Sequence, residues 1–439
     1  MAENTKTVKT TATKATEIAK RANDWTKMMY QKAAESTKAG KPVAWCMVGI
    51  EQEIMESFDI DAVYTENYAA VAAAKQQADV LLEAAESDGY SNLICGYVRT
   101  GIGYSRLFKE EGGPPKQAPR GGMADPSLLL ACSMACDPRF KWYQSLARYQ
   151  KTPYYFYDTM YPAMDQDRDD PMVREHYVNY TILQLRDFAA FCLKHTGKKL
   201  DDGYLWEKIR MGEAVHRLWW ECHELRKAVP CPMPSGDMLS CIVPGMFYRC
   251  RPESREFYQE MHEELTTRVK NGIGVIEDER YRLCWGGGLP PWHNMGLFSY
   301  FEGKGGVFVC ETAYYPYEPY EVDVKANDPI EYLARRDYER NAVRWRKAQK
   351  GCKDMTAQLL LDFINDYKCV GMVMHGSKSC RATTVGQIYN KNVVQENVKI
   401  PTLFIESDIV DARTFSEVET KNKIESFIET VESHKSSKR

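Results

Sequence analysis

The chain lacks several features that mark common classes of protein. None of its apolar runs approaches the roughly 20 residues of a membrane span. Its first residues are rich in threonine and lysine and lack the apolar core of a secretion signal. The net charge of -3 gives no excess of positive charge for nucleic acid or an acidic membrane surface. These absences predict a cytoplasmic protein whose partners include neither nucleic acid nor a membrane.

The cysteines also lack a familiar arrangement. There are 14 of them, yet no Cys-x-x-Cys pair occurs, so the spacing of a zinc ribbon is absent. In a reducing cytoplasm we expect thiols or metal ligands rather than disulfides. Any metal site must therefore be assembled from distant segments of the chain.

What the chain does have is an alternation of short apolar runs and helical stretches. We predict buried strands at 42–49, 61–67, 92–98, 127–133 and 152–159, and again at 281–291, 306–313, 369–377 and 401–408. Helical patterns intervene, including 68–86, most of 176–228 and a capped helix near the end. Strand and helix in turn are typical of parallel sheets that are covered on both faces.

This pattern predicts an α/β protein with two doubly wound parallel-sheet domains facing a cleft and a helical insert between them. We expect an N-terminal tail and helix in residues 1–40 and a first α/β domain in 41–175. The helical insert then spans 176–275, and the second α/β domain spans 276–439.

Ligands of parallel sheets gather beyond the carboxyl ends of the strands, which makes cysteines at strand exits candidate ligands. Cys95, Cys136 and Cys380 fit that position best, and Cys46 and Cys284 lie late in predicted strands. Cysteines inside predicted helices or strands are expected to be small buried hydrophobes, namely Cys192, Cys222, Cys310 and Cys369. The same bland role is an equal alternative for any single strand-exit cysteine.

Three thiolates without a histidine or nearby carboxylate favour iron–sulfur chemistry over zinc. Three ligands rather than four leave one iron of a cluster with an open position. That position would accept water or a substrate oxygen.

Four motifs carry a resemblance to a known family: "VYTENYAA", "CDPRFKWYQ", "HGSKSCRATTVGQ" and "IPTLFIESDIVDARTFSEVETKNKIESFIE". They resemble the 2-hydroxyacyl-CoA dehydratase/benzoyl-CoA reductase family over nearly the whole chain. Within that family the length, the N-terminal extension and the residues around Cys136 are most similar to the B subunit of ATP-dependent (class I) benzoyl-CoA reductase.

The resemblance implies an enzyme subunit with partners. It implies a [4Fe-4S] cluster in this chain, a homologous cluster-bearing subunit, and a separate ATP-driven [4Fe-4S] activator that supplies low-potential electrons. The substrate implied is an aromatic acyl-CoA, whose ring is reduced to a cyclic diene thioester. Two alternatives remain: a subunit of a 2-hydroxyacyl-CoA dehydratase, which is a radical lyase, and a non-catalytic electron-relay subunit.

The resemblance also implies roles for individual residues. The cluster ligands fall on Cys95, Cys136 and Cys380, with Cys46 as a reserve ligand. Glu66 matches an acidic residue near the substrate carbonyl. His375, five residues before Cys380, is a candidate proton donor, although a histidine bonded by backbone at a strand end is the plainer interpretation.

Two further segments have weaker interpretations. The glycines at 286–288 lack the lysine and serine of a phosphate loop and fit a flexible strand-to-loop turn. The arginine-rich run 335–350 fits a solvated helix face whose positive charge would also attract CoA phosphates. A zinc or metal-free α/β protein with ordinary buried thiols is the remaining alternative.

Overall fold

The protein is built on two four-stranded sheets, each with all of its strands parallel. The computed structural model describes residues 12–320 and 328–437. The first sheet has the order β2-β1-β3-β4 and the second the order β6-β5-β7-β8. The strands are β1 (Val43–Cys46), β2 (Asp61–Tyr64), β3 (Leu128–Cys132), β4 (Tyr154–Tyr157), β5 (Tyr281–Trp285), β6 (Gly306–Glu311), β7 (Gly371–Ser377) and β8 (Thr402–Ser407).

The two sheets repeat one topology. In each, the chain starts on an inner strand, adds a strand on one side, and then crosses to the other side. The strand order therefore reverses between β1 and β3 in the first sheet and between β5 and β7 in the second. Such reversal points open a crevice beyond the carboxyl ends of the strands.

Helices cover both sheets and fill the region between them. They are α1 (Glu17–Lys38), α2 (Gln52–Ser57), α3 (Thr65–Ala74), α4 (Asp79–Ser87), α5 (Gly96–Glu111), α6 (Pro138–Gln150), α7 (Pro171–Thr196), α8 (Asp202–Leu225), α9 (Ser235–Met238), α10 (Ile242–Phe247), α11 (Pro252–Lys270), α12 (Gly296–Glu302), α13 (Pro329–Lys350), α14 (Met355–Asp366), α15 (Arg381–Thr384), α16 (Gln387–Asn397) and α17 (Glu417–Ser437). No described helix has both the length and the apolar character needed to cross a membrane.

The predicted fold class is confirmed: two parallel α/β sheets are separated by a helical stretch from α7 to α11. The strands β1, β3, β5, β6 and β7 are buried along their whole length, as expected for strands covered on both faces. We retain the division of the chain at residues 40, 175 and 275 as a proposal. Residues 1–11 of the expected tail lie outside the described residues.

The strand predicted at 92–98 is wrong, because this segment enters α5. Residues 96–105 are all buried, so the first ten residues of this helix have no exposed face. Its glycines allow that enclosure. A Cβ atom on Gly103 would lie 1.8 Å from the carbonyl oxygen of Leu81, and one on Gly101 would lie 2.6 Å from the indole of Trp142. Close packing therefore explains why glycines, which disfavour a helix, occur within this one.

The helix predicted at 68–86 is two helices. The chain turns between α3 and α4, where Gln76 has a φ of 57°.

Near the C-terminus the expected cap of the last helix is present, because the Ser416 hydroxyl accepts a 3.4 Å hydrogen bond from the amide of Glu419.

Candidate functional site

Exposure separates the cysteines into two groups. Ten of the 14 thiols are buried, and the partly exposed ones are Cys95, Cys136, Cys352 and Cys380. Three of these four are the predicted cluster ligands. Cys46 is buried in β1, and its sulfur lies 3.5 Å from the sulfur of Met55. The reserve ligand is therefore a core residue in this structure.

Cys136 and Cys380 occupy equivalent places in the two sheets. Cys136 follows β3, which is the third strand of the first sheet, and Cys380 follows β7, the third strand of the second. Both lie beyond a carboxyl end at the point where strand order reverses. Cys95 reaches the site differently, as the N-cap residue of α5 rather than at a strand exit.

Bonds between neighbouring residues hold the three cysteine loops together. The amide of Gly96, next to Cys95, donates a 3.2 Å hydrogen bond to the hydroxyl of Ser379, next to Cys380. Arg381, on the other side of Cys380, forms an ion pair with Asp137, which follows Cys136. Burial is the main cause that raises the pKa of Cys95 and of Cys136, and the nearby charge of Cys380 adds to it. The loops that carry the three thiols are therefore joined to one another through the loop of Cys380.

Asp408 fixes the loop after β8 against this site. Its carboxylate accepts a hydrogen bond from the Ser379 hydroxyl and 2.8 and 3.0 Å bonds from the amides of Val410 and Asp411. A Cβ atom on Gly96 would lie 2.3 Å from the same carboxylate. Glycine at position 96 is therefore required for Cys95 to approach Cys380.

Glu66 lies in the first turn of α3 and is buried in an ion pair with Arg139 of α6. The amide of Val48 donates a 2.8 Å hydrogen bond to the second carboxylate oxygen of Glu66, and Arg139 donates to the carbonyl of Val48 at 2.9 Å. Arg139 was missed at the level of sequence, although it lies three residues after Cys136 in the motif "CDPRFKWYQ". Its charge acts directly on the thiol of Cys136.

Burial favours the protonated form of the Cys95 and Cys136 thiols. Burial raises the pKa of Cys136 to about 11, against the opposing charge of Arg139, and burial also raises the pKa of Cys95. Both lie at or one residue before a helix N-cap, where the helix dipole favours thiolate. Binding of iron would therefore displace protons from these sulfurs.

The donor set fits a cluster better than a single ion. Within residues 12–320 and 328–437, no three His, Cys, Asp or Glu side chains are close enough to ligate one metal ion. The ligands of an iron–sulfur cube attach to separate iron atoms and stand farther apart than those of one ion. Three convergent thiols without histidine suit such a cube.

His375 is engaged on both ring nitrogens inside the second sheet. Nδ1 donates to the carbonyl of Leu289 at 2.6 Å, and Nε2 accepts from the hydroxyl of Ser407 at 2.8 Å. The side chain is buried, and burial lowers its pKa to about 4, so the ring is neutral at pH 7. Its role as a proton donor stays a prediction and requires one of these contacts to break.

An aromatic wall stands beside the cysteines. The indole N–H of Trp292 donates to the hydroxyl of Tyr97, and the ring of Tyr314 lies 6.2 Å from that of Trp292. Tyr314 is close enough to Cys380, Glu66 and Arg139 for their charges to act on its hydroxyl. Tyr97 and Trp292 are only 6% and 9% exposed, so these rings belong to the packed interior beside the cysteines.

Arg99 joins the two halves behind the site. It is buried in α5, donates at 2.8 Å to Glu86 and at 3.0 Å to Asp411, and lies 3.8 Å from Asp408. Burial by itself would raise the pKa of Asp411, but hydrogen bonds from Arg413 and Arg99 outweigh it and hold the pKa at about 2.

This depressed pKa predicts a loss of stability in acid. Asp411 ordinarily titrates at 3.8, so its contribution is complete above that value and is lost as the pH falls through about 2. We expect replacement by asparagine, Asp411→Asn, to reduce the slope of unfolding free energy against pH between about 4 and 2. Urea unfolding across that range measures the slope. Asp59→Asn, at an exposed ion pair with Lys198, is the matched control. An unaltered slope in the Asp411 variant would contradict the prediction.

Comparison with known proteins gives one family and several full-length relatives. Residues 48–431 match the family described as 2-hydroxyglutaryl-CoA dehydratase, D-component. The alpha subunit of (R)-2-hydroxyisocaproyl-CoA dehydratase from Clostridioides difficile is 27% identical, with 94% of this chain and 96% of the relative covered. The B subunit of benzoyl-CoA reductase from Thauera aromatica is 25% identical, with 93% of each chain covered.

Proposed function

We propose a function for this chain, which belongs to the 2-hydroxyglutaryl-CoA dehydratase D-component family. It is the iron–sulfur subunit of an ATP-dependent aromatic acyl-CoA reductase. Its ligands are Cys95, Cys136 and Cys380. The observation that supports the proposal is that the loops carrying these three partly exposed thiols are bonded to one another across the two halves of the chain.

A [4Fe-4S] cluster bound there would supply single low-potential electrons and one iron with an open position. Side chains of this protein supply the charge and the apolar groups around the cluster. Arg139 places a positive charge beside Cys136, where it would stabilise negative charge that develops on a substrate carbonyl. Glu66 orients Arg139 through their ion pair, and Tyr97, Trp292 and Tyr314 exclude water from one side. Glu66 is thus proposed near the carbonyl as a partner of Arg139.

Partners follow from the same site. Four strongly exposed apolar side chains flank the cysteines in sequence, with exposed fractions of 80% for Leu93, 81% for Val385, 61% for Ile388 and 52% for Tyr389. Apolar side chains exposed around a redox site are typical of a docking surface. A homologous cluster-bearing subunit and an ATP-driven [4Fe-4S] activator are the partners we propose. The relatives are themselves named as alpha or B subunits, which supports a multi-subunit enzyme.

A second candidate is a subunit of a 2-hydroxyacyl-CoA dehydratase. The observation that favours it is the 27% identity with the dehydratase subunit of Clostridioides difficile, since the reductase subunit is 25% identical. The aromatic rings beside the cysteines suit an aromatic acyl group in either candidate, since the alpha subunit of (R)-phenyllactyl-CoA dehydratase from Clostridium sporogenes is 24% identical.

Product analysis tests the two candidates. The chain, its partner subunit and the activator are mixed with ATP under strict anaerobiosis and supplied with benzoyl-CoA or a 2-hydroxyacyl-CoA. We expect ring reduction with net consumption of electrons. Loss of water from the 2-hydroxyacyl-CoA, with the electron recycled, would replace the reductase by the dehydratase.

The same preparation tests the electron-relay alternative. We expect the EPR signal of the cluster in this chain to change when the acyl-CoA is added, because substrate would reach the open iron position. Selective enrichment of this chain with ⁵⁷Fe separates its signal from that of the partner. An EPR signal that does not change when the acyl-CoA is added would indicate an electron-relay subunit.

A further inference from the structure

One tyrosine just beyond the carboxyl end of β6 has a strained backbone. Tyr314 has a φ of 56°, in the left-handed region that favours glycine. Within residues 12–320 and 328–437, no other aromatic residue adopts a positive φ. This conformation costs free energy for a bulky side chain, and residues held in it are concentrated at functional sites. The strain therefore makes Tyr314 a candidate for a functional role.

The turn at Tyr314 sends two adjacent tyrosines in different directions. The ring centre of Tyr315 lies 5.3 Å from that of Phe363 in α14, away from the cysteines. Tyr314 instead lies close enough to Cys380 and Arg139 for their charges to act on its hydroxyl. The side chain of Tyr314 is also partly exposed. A substrate at the cysteines could therefore reach this hydroxyl.

Two buried side chains support the Tyr314 hydroxyl from behind. The indole N–H of Trp292 donates to the hydroxyl of Tyr97, and the hydroxyl of Tyr97 is hydrogen-bonded to that of Tyr314. Hydrogen bonds in a chain polarise one another, so the donors behind Tyr314 strengthen its own O–H as a donor. Burial raises the pKa of Tyr314 and the charge of Glu66 adds to this effect, so the hydroxyl keeps its proton at pH 7.

The cation of the site is already engaged by the protein. Nη1 of Arg139 donates to the carbonyls of Val48 and Met134, and Nη2 donates to the carboxylate of Glu66. The charge of Arg139 acts on a substrate over a distance, but a directed hydrogen bond has to come largely from another group. In the parts of the chain that the structure describes, no protein group accepts the hydroxyl proton of Tyr314. This proton is therefore available to a substrate.

We infer that the hydroxyl of Tyr314 donates a hydrogen bond to the thioester carbonyl oxygen of the acyl-CoA and stabilises the negative charge that develops there. A neutral donor fixed in place stabilises an oxyanion without giving up its proton. Tyr314 is thus a catalytic residue, and Tyr97 and Trp292 are positioning residues that act through it. This inference rests on the proposed function, which places an acyl-CoA at the cysteines and adds an electron to it.

Infrared difference spectroscopy tests the hydrogen bond. The acyl-CoA is labelled with ¹³C at the thioester carbonyl and bound to the complete enzyme complex without ATP, so that no turnover occurs. We expect the carbonyl stretch to move to higher wavenumber in Tyr314→Phe, since this substitution keeps the ring and removes only the hydroxyl. The matched control is Tyr315→Phe, which removes the hydroxyl that faces α14 and should leave the band as in wild type. An unshifted band in Tyr314→Phe would overturn the inference.

Turnover with ATP and activator gives a second measurement. We expect Tyr314→Phe to lower kcat by about a hundredfold with little change in KM, as for the loss of one oxyanion donor. Tyr97→Phe should lower kcat by less, and should have no further effect in the Tyr314→Phe background, because Tyr97 acts through the Tyr314 hydroxyl. Additive losses would contradict the positioning role of Tyr97. Iron content equal to that of wild type excludes loss of the cluster as the cause.

The outcome is separable from the proposed function. Benzoyl-CoA and a 2-hydroxyacyl-CoA both carry a thioester carbonyl, so the infrared test applies to whichever of them product analysis identifies as the substrate. A band that depends on Tyr314 with a 2-hydroxyacyl-CoA would sustain the inference while the reductase is replaced by the dehydratase. A band that does not depend on Tyr314, together with ring reduction, would overturn the inference and leave the reductase in place.

Discussion

The simultaneous replacement of Cys95, Cys136 and Cys380 by alanine is expected to give a colourless protein after anaerobic purification. Iron and acid-labile sulfide should fall to background, and acyl-CoA turnover should be lost. The reason is that thiolates hold an iron–sulfur cluster directly, and in the described parts of the chain no other partly exposed thiol lies among the converging loops. This is the largest effect we expect from any substitution in the chain.

The control is Cys352→Ala, which removes the fourth partly exposed thiol. Its sulfur lies 3.4 Å from the carbonyl oxygen of Asp354, in the turn before α14. We expect this variant to retain its colour, iron and sulfide. Circular dichroism of the triple variant checks that the fold persists. Full iron and sulfide content in the triple variant would remove the basis for the proposed function.

Replacement of Arg99 by methionine is expected to lower the free energy of unfolding by about 3 kcal/mol. Methionine keeps much of the volume of the side chain but removes the guanidinium. Asp411 would keep Arg413 but lose its buried partner, and Asp408 would lose the nearest buried cation. Breaking a buried ion pair by removing one partner costs about 3–5 kcal/mol, and the remaining arginine places this case at the lower end.

Urea unfolding under anaerobic conditions measures this change. Arg186→Met is the matched control, because Arg186 pairs with Asp328 at the surface with 60% of its side chain exposed. We expect the control to change stability by less than about 1 kcal/mol. The Arg99 variant should also lose cluster iron faster on storage, since Arg99 ties α5 to the loop after β8. Equal unfolding free energies for the two variants would refute the role of Arg99.

Some residues of the site carry a local signal in the sequence and others do not. Cys136 and Cys380 were recognisable because each follows a buried strand and precedes a helix. Cys95 was predicted at the exit of a strand that does not exist, since the first ten residues of α5 are buried and three of them are glycines. Arg139 was overlooked because its importance depends on Glu66, 73 residues away in the chain. A pairing across that separation has no periodic signal.

From the amino-acid sequence alone one can deduce the alternation of strands and helices, the parallel character of the sheets and the absence of paired zinc-type cysteines. These follow from local periodicity and residue chemistry, which each short segment carries within itself. The folded chain was needed to show which thiols are partly exposed, that Gly96 and Ser379 bring two distant loops into contact, and that Arg99 is buried between the halves. The physical reason is that burial and ion pairing depend on the packing of segments hundreds of residues apart.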